Sequence, residues 1–106
     1  MATYQSGALL ALGDPTRLAI FERLLDRPHA VVELARQFPI SRPAVSQHLR
    51  ALKDAGLVTD EAVGTRRIYR ADPVALGALR DQLDCFWSRA LAAYKVVVEQ
   101  PAEEKP

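Results

Sequence analysis

The chain is expected to fold as a mainly α-helical domain with one small β-hairpin, and three stretches of sequence carry that expectation. Ser41 to Gly56, SRPAVSQHLRALKDAG, has a capping residue at each end and an apolar stripe between them. Leu57 to Val63 and Arg66 to Ala71 are strand-like runs split by Gly64-Thr65, a turn pair suited to a hairpin. From Pro73 to Gln100, Leu76, Leu79, Leu83, Phe86, Trp87, Ala90, Tyr94 and Val97 recur at steps of mainly three and four, as along one long helix with a continuous seam.

At the N-terminal end, Thr3 to Leu12 carries Leu9, Leu10 and Leu12 and reads as a short helix that completes a dimer surface. Asp14 followed by Pro15 marks the start of a second helix, because a carboxylate satisfies free N–H groups and proline has none to lose in the first turn. Leu18, Ile20, Phe21, Leu24 and Leu25 give that helix a broad apolar face, and Arg27-Pro28 ends it. Glu33 to Ile40, ELARQFPI, reads as a short apolar-periodic helix ending at Phe38 and Pro39. Only about three to four residues of turn then remain before the next helix, which is helix-turn-helix spacing.

That next helix, 41–55, begins on Ser41 as N-cap with Pro43 in its first turn, and Gly56 closes it as a C′ residue. Val45, Leu49 and Leu52 fall at i, i+4 and i+7 and can be buried together. Arg42, Ser46, Gln47, Arg50 and Lys53 are left on the outer surface. Arginine can bind guanine in a bidentate manner, glutamine can bind adenine, serine can take a base edge or a phosphate, and the other basic residues can neutralise backbone charge. Double-stranded DNA is the partner such a surface suits. The hairpin over 57–71 has a basic tip at Arg66 and Arg67, which can lie along or inside a minor groove or stand as a solvated strand end. His48, near the apolar side, is expected to be packed or bonded within the protein rather than to touch DNA.

The last helix, 73–98, carries an apolar seam roughly 30 to 40 Å long at 1.5 Å per residue, more than a three-helix core with a small hairpin can cover. Part of it is therefore expected to meet a second copy of the chain, with Phe86, Trp87 and Tyr94 as aromatic anchors. The same aromatics can instead close the chain's own core, and both roles can hold for different residues. The expected dimer surface comprises Leu9, Leu76, Leu79, Leu83, Phe86, Trp87, Ala90 and Tyr94. Residues 1–100 form a single domain on this reading, and 101–106, PAEEKP, a disordered tail.

In order and spacing the chain resembles the arsenical-resistance-repressor (ArsR) type of winged helix-turn-helix transcriptional regulators. The likeness spans roughly Leu9 to Tyr94 and is carried by LGDPTRLAIFERLL (Leu12 to Leu25), VVELARQFPISRPAVSQHLRALKDAGLV (Val31 to Val58) and GTRRIYRADP (Gly64 to Pro73). It implies a homodimeric, sequence-specific repressor whose outer helices pair, binding an inverted-repeat operator and controlling its own promoter or a neighbouring operon. It also implies base contacts at Arg42, Pro43, Ser46 and Gln47, of which Pro43, lacking a donor, contributes only shape. Members often sense metal ions, and here the sequence departs from the pattern. Where thiolates would be needed on the third helix stand Ala35 and Gln37, and the last helix has Asp81, Asp84 and Glu99 but no histidine. No metal or other cofactor is expected. An inducer is not legible.

Composition agrees. A chain of 106 residues with 49% hydrophobic content and no apolar run of membrane-span length is expected to be a soluble domain with no place in a membrane. MATYQSGALLALGD has no basic region ahead of its interrupted apolar stretch, so a cytoplasmic location is expected. Net charge is only +1, yet from Arg36 to Arg70 seven basic residues face three acidic ones, so positive charge is polarised towards the proposed DNA face. Cys85 is the one cysteine, which excludes an intramolecular disulfide. It is expected to be a buried, inert thiol, with oxidation near the dimer seam as the alternative. The histidines, His29 and His48, sit apart from Cys85, and no glycine-rich loop follows a strand, so no enzyme is expected. A winged-helix protein-interaction module is the competing class.

Overall fold

Proline stands in the first turn of three helices, and the backbone around each is arranged so that its missing N–H costs nothing. The computed structural model describes residues 6–99, so Thr3 and the tail 101–106 lie outside the described residues. The elements are α1 (Ser6–Ala11), α2 (Pro15–Asp26), β1 (His29–Ala30), α3 (Val31–Ala35), α4 (Arg42–Asp54), β2 (Val58–Val63), β3 (Arg66–Ala71) and α5 (Pro73–Glu99). Asp14 caps α2 by accepting from the Arg17 N–H at 2.9 Å, and the Asp72 carboxylate accepts from the Val74 N–H at 2.9 Å where α5 begins.

Helices α1 to α4 and the base of α5 enclose one core. Ile20, Phe21 and Leu24 of α2, Leu34 of α3, and Val45, Leu49 and Leu52 of α4 meet Leu57, Val58 and Leu79 there, with Ala8 and Ala11 supplied by α1. Two expected members of the α2 face are absent: Leu18 and Leu25 are 38% and 47% exposed. At 3.6 residues per turn these two lie side by side, about 40 to 60° beyond the edge set by Phe21, so the stripe that reaches the core is narrower than the apolar content of α2 suggests.

Helix α3 ends at Ala35, earlier than the expected Phe38-Pro39 boundary. The Arg36 N–H bonds the carbonyls of both Val32 and Leu34, tightening the last turn, and the connection to α4 is correspondingly longer. Phe38 and Ile40 of this connection pack against the core, and the Arg23 guanidinium lies over the Phe38 ring at 5.5 Å from its centre. The hairpin, too, differs from expectation: β1 adds to it, giving a three-stranded antiparallel sheet of order β1-β3-β2 with His29 opposite Tyr69 and Ala30 opposite Ile68.

Helix α5 occupies nearly the span expected for it. Its first third belongs to the core: Leu79 is 6% exposed and Leu76 is half-buried against the same cluster. The sequence expects these two on a dimer surface; within the single chain they pack on the core instead, because residues of α2 and β3 lie beside the N-terminal turns of α5. Leu9, expected there as well, is likewise half-buried on the chain's own core. Every residue from Leu83 to Glu99 is exposed, including Phe86, Trp87, Ala90 and Tyr94. Gln82, buried where the helix leaves the body, has its Oε1 without a hydrogen-bond partner among the described residues.

Candidate nucleic-acid interface

Helix α4 is held by its inner face. Val45, Leu49 and Leu52 have no exposed surface, so Arg42, Pro43, Ser46, Gln47, Arg50 and Lys53 necessarily point outward, and all six are exposed. Ser41 fixes one end by accepting from the Ala44 N–H at 3.2 Å. At the other end the Gly56 N–H donates to the Lys53 carbonyl and the Leu57 N–H to the Leu52 carbonyl, the paired bonds of a Schellman motif. That motif needs a left-handed residue, and Gly56 supplies it with φ 81°. Leu57, buried against Leu52, then leads the chain directly into β2.

The hairpin register sets which way each basic side chain points. Val58 to Val63 pair with Ala71 to Arg66, leaving Gly64-Thr65 as the two-residue loop, with Gly64 at φ 64° and no positive φ at Thr65. This is the backbone requirement of a II′ turn. Alternation along β3 sends Arg66 and Arg67 to opposite faces of the sheet. Arg66 reaches Glu33 on α3 at 2.9 Å, whereas Arg67 reaches Asp60 at 3.1 Å. Lys53 of α4 meets the same carboxylate, Nζ to Oδ1, at 2.9 Å. Arg70 and Glu61 face each other at 3.8 Å.

Both tethering carboxylates are held well in their charged form. The hydrogen bond from Lys53 is the main cause that lowers the Asp60 pKa, with Arg67 adding to it. The Ala30 N–H bonded to Glu33 is the main cause of a lowered pKa there, followed by Arg66. Glu33 thus closes the N-terminus of α3 with one oxygen and holds the wing with the other. Two clefts result. One, of about 460 Å³, lies between α4 and the wing and is lined by Ser46, Arg50, Lys53, Asp60, Arg67 and Tyr69. The other, of about 210 Å³, lies where Arg42 approaches Thr65, Arg66 and the start of α3.

The basic residues singled out in the sequence therefore fall into two groups. Arg42 and Arg50 make no ion pair with another described residue, while Lys53, Arg66, Arg67 and Arg70 are each matched by an acidic side chain. Asp60, Glu33 and Tyr69 had not been singled out. The register held the signal for Asp60, since it stands opposite Tyr69 and is the diagonal neighbour of Arg67. His48 is half-buried, its Nδ1 accepting from Arg17 Nε at 3.3 Å, as its place near the apolar side suggested. Cys85 is exposed, which corrects the expectation of a buried thiol; on α5 it lies past the last turn that the core reaches. Among the described residues no three of His, Cys, Asp or Glu gather to hold a metal ion, and no helix is long and apolar enough to cross a membrane.

A family model described as a helix-turn-helix domain matches residues 12–61, which is α2 to the start of the wing. An HTH-type transcriptional regulator of Mycobacterium tuberculosis is 54% identical over 106 residues, covering 98% of this chain and 99% of the relative. Among solved structures, an ArsR-like transcriptional regulator from a Rhodococcus species superposes with a TM-score of 0.72 at 34% identity, over 92% of this chain and 94% of that one. The homodimeric winged helix-turn-helix DNA-binding domain of a Mycobacterium bovis protein superposes with a TM-score of 0.63 at 27% identity, over 89% of this chain and 77% of that one. With α3 and α4 as the helix-turn-helix, the β2-β3 hairpin as the wing and relatives matched over nearly their whole length, the chain belongs to the ArsR-type family of winged helix-turn-helix transcriptional regulators.

Proposed function

We propose that this regulator is a homodimeric repressor that reads an inverted-repeat operator near its own promoter, with α4 in the major groove and the wing on the flanking backbone. The observation that carries the reading is the outer face of α4: Arg42, Ser46 and Gln47 are exposed at its N-terminal end, above an inner face with no exposed surface. The N-terminal turns of a recognition helix are the ones that reach base edges. Arg42 discriminates bases, Ser46 and Gln47 add base or phosphate contacts, and Pro43 shapes the approach. Arg50 and Lys53 lie further along the helix, where the DNA backbone passes, and Arg66 and Arg67 flank the wing tip beside the minor groove.

A second copy fits the remaining surface. The exposed Leu83, Phe86, Trp87 and Tyr94 form an apolar strip that a monomer leaves in water, and the similar M. bovis domain is homodimeric. Two-fold symmetry then sets two reading helices about one helical turn apart, ~34 Å, which requires an operator with inverted half-sites.

The test is fluorescence anisotropy with the duplex upstream of the protein's own gene beside a scrambled duplex, at two salt concentrations. A preference of about 10³-fold or more for the native duplex is expected. Equal binding to both would remove operator recognition at this promoter, and no binding at low salt would leave a protein-interaction module as the function.

A further inference from the structure

Asp60 is the one carboxylate among the described residues that two cations share. Lys53 comes from α4 and Arg67 from the wing, so this single side chain ties the two DNA-facing elements across the cleft between them. Its own surface is nearly closed, at 7% exposed, whereas Lys53 and Arg67 remain 52% and 53% exposed. The inner side of each cation is therefore occupied, and the outer side is open to another anion. An oxygen of a DNA phosphodiester entering the cleft meets cations that are already partly neutralised.

We infer that Asp60 is a specificity-determining positioning residue, an internal stand-in for a backbone phosphate that holds down sequence-independent DNA affinity while keeping Lys53 and Arg67 in place for the operator. The inference rests on the operator reading above and adds a residue that reading does not use. Two effects act in opposite directions on the two kinds of complex. Non-specific binding is loose and follows the number of unmatched cations, because each phosphate contact releases counterions. A carboxylate that matches two cations lowers that number. Specific binding instead needs long side chains in fixed positions, and lysine and arginine lose much rotamer freedom when ordered. At Asp60 they have already lost it in the free protein. Removing the carboxylate raises affinity for any DNA and forfeits part of the advantage of the operator.

Other charges around the cleft do not substitute. Asp54 and Arg50 border it without an ion pair to a described residue, and Glu61 points to the opposite face of the wing, towards Arg70. Glu61 therefore provides a control with the same charge change one residue away.

The experiment compares wild type, Asp60→Asn and Glu61→Gln on two duplexes, one selected by the wild type from a random pool and one scrambled, across a series of salt concentrations. Circular dichroism checks the fold, and Asp60→Ser is read instead where the amide variant melts early. For Asp60→Asn the scrambled-duplex affinity is expected to rise about five- to tenfold. The slope of log affinity against log salt should steepen by about one to two, at ~0.9 per added contact. Preference for the selected duplex is expected to fall about three- to tenfold, and Glu61→Gln to move each quantity by less than half as much. An unchanged slope and preference in Asp60→Asn, or a full copy of its effect by Glu61→Gln, overturns the inference while leaving the operator reading intact. A wild type that selects no duplex and binds DNA without preference overturns both.

Discussion

Arg42 and Lys53 stand at opposite ends of one helix and are predicted to fail differently. Arg42, without an ion pair to a described residue and near the wing tip, is free to meet a base edge. Arg42→Ala is expected to cost about 1 to 3 kcal/mol against the preferred base at one operator position and to relax selectivity there, measured by anisotropy over single-base duplex variants. Lys53→Ala should instead weaken binding without changing which base is preferred at any one operator position. The ends of α4 carry a second residue-scale prediction. Ser41→Ala removes the oxygen that accepts from Ala44 and is expected to cost about 1 kcal/mol of stability in chemical denaturation. Gly56→Ala meets no neighbouring atom within 4 Å, so its expected cost of about 1 to 2 kcal/mol is that of a left-handed backbone alone. Acid acts on the tethers. Asp14, Glu33 and Asp60 all have lowered pKa values, so their contribution is present above the ordinary carboxylate range and is lost as pH falls from that range through the depressed folded values. The melting temperature should fall below about pH 4, and Asp60→Asn should flatten part of that fall because the group is gone.

At the scale of elements, legibility followed length and capping. Helix α4 was bounded correctly from Ser41, Pro43 and Gly56, because each restricts the backbone at a known position relative to a helix end. The hairpin strands followed from Gly64-Thr65, and the long helix from a seam repeated over many turns. Two elements escaped. His29-Ala30 is too short to have a period, and it is a strand only because the free edge of β3 lies beside it. Helix α3 begins and ends earlier than its sequence suggests, because Phe38 continues the apolar spacing of ELARQF although it packs from a turn rather than from a helix. The outward set on α4 was legible because the inner stripe leaves no other arrangement, whereas the tethers of the wing depend on register and on α3, which no local pattern reports. The stripe itself gives a further prediction. Leu49 has no exposed surface and belongs to the core cluster, on a helix that packs against α1, α2 and β2, so Leu49→Ala is expected to cost about 2 to 5 kcal/mol in denaturant unfolding and to loosen α4 and wing together.

For the whole molecule, α5 joins two kinds of burial in one continuous helix. Its first turns complete the core through Leu79, and its remaining length, with Phe86 41%, Trp87 63% and Tyr94 66% exposed, has nothing among the described residues to lie against. A single apolar seam was visible in the sequence; its division near Gln82 was not, because both halves repeat at the same steps and only the reach of the neighbouring elements separates them. The division makes the halves separable by mutation. Leu79→Ala leaves a hole in each core and is expected to lower stability by about 2 to 5 kcal/mol with little change in the association of the folded chains. Trp87→Glu places a charge on the outer strip, where it is solvated in a monomer and desolvated in a pair. It is expected to leave helical content intact by circular dichroism while shifting sedimentation equilibrium from dimer to monomer. Operator affinity should then fall steeply, because two half-sites bound by one linked pair become two separate encounters, each without the effective concentration that linkage supplies. If Trp87→Glu sediments as a dimer and keeps its operator affinity, the outer half of α5 is not where two copies meet, and the spacing of the reading helices must be set by another surface.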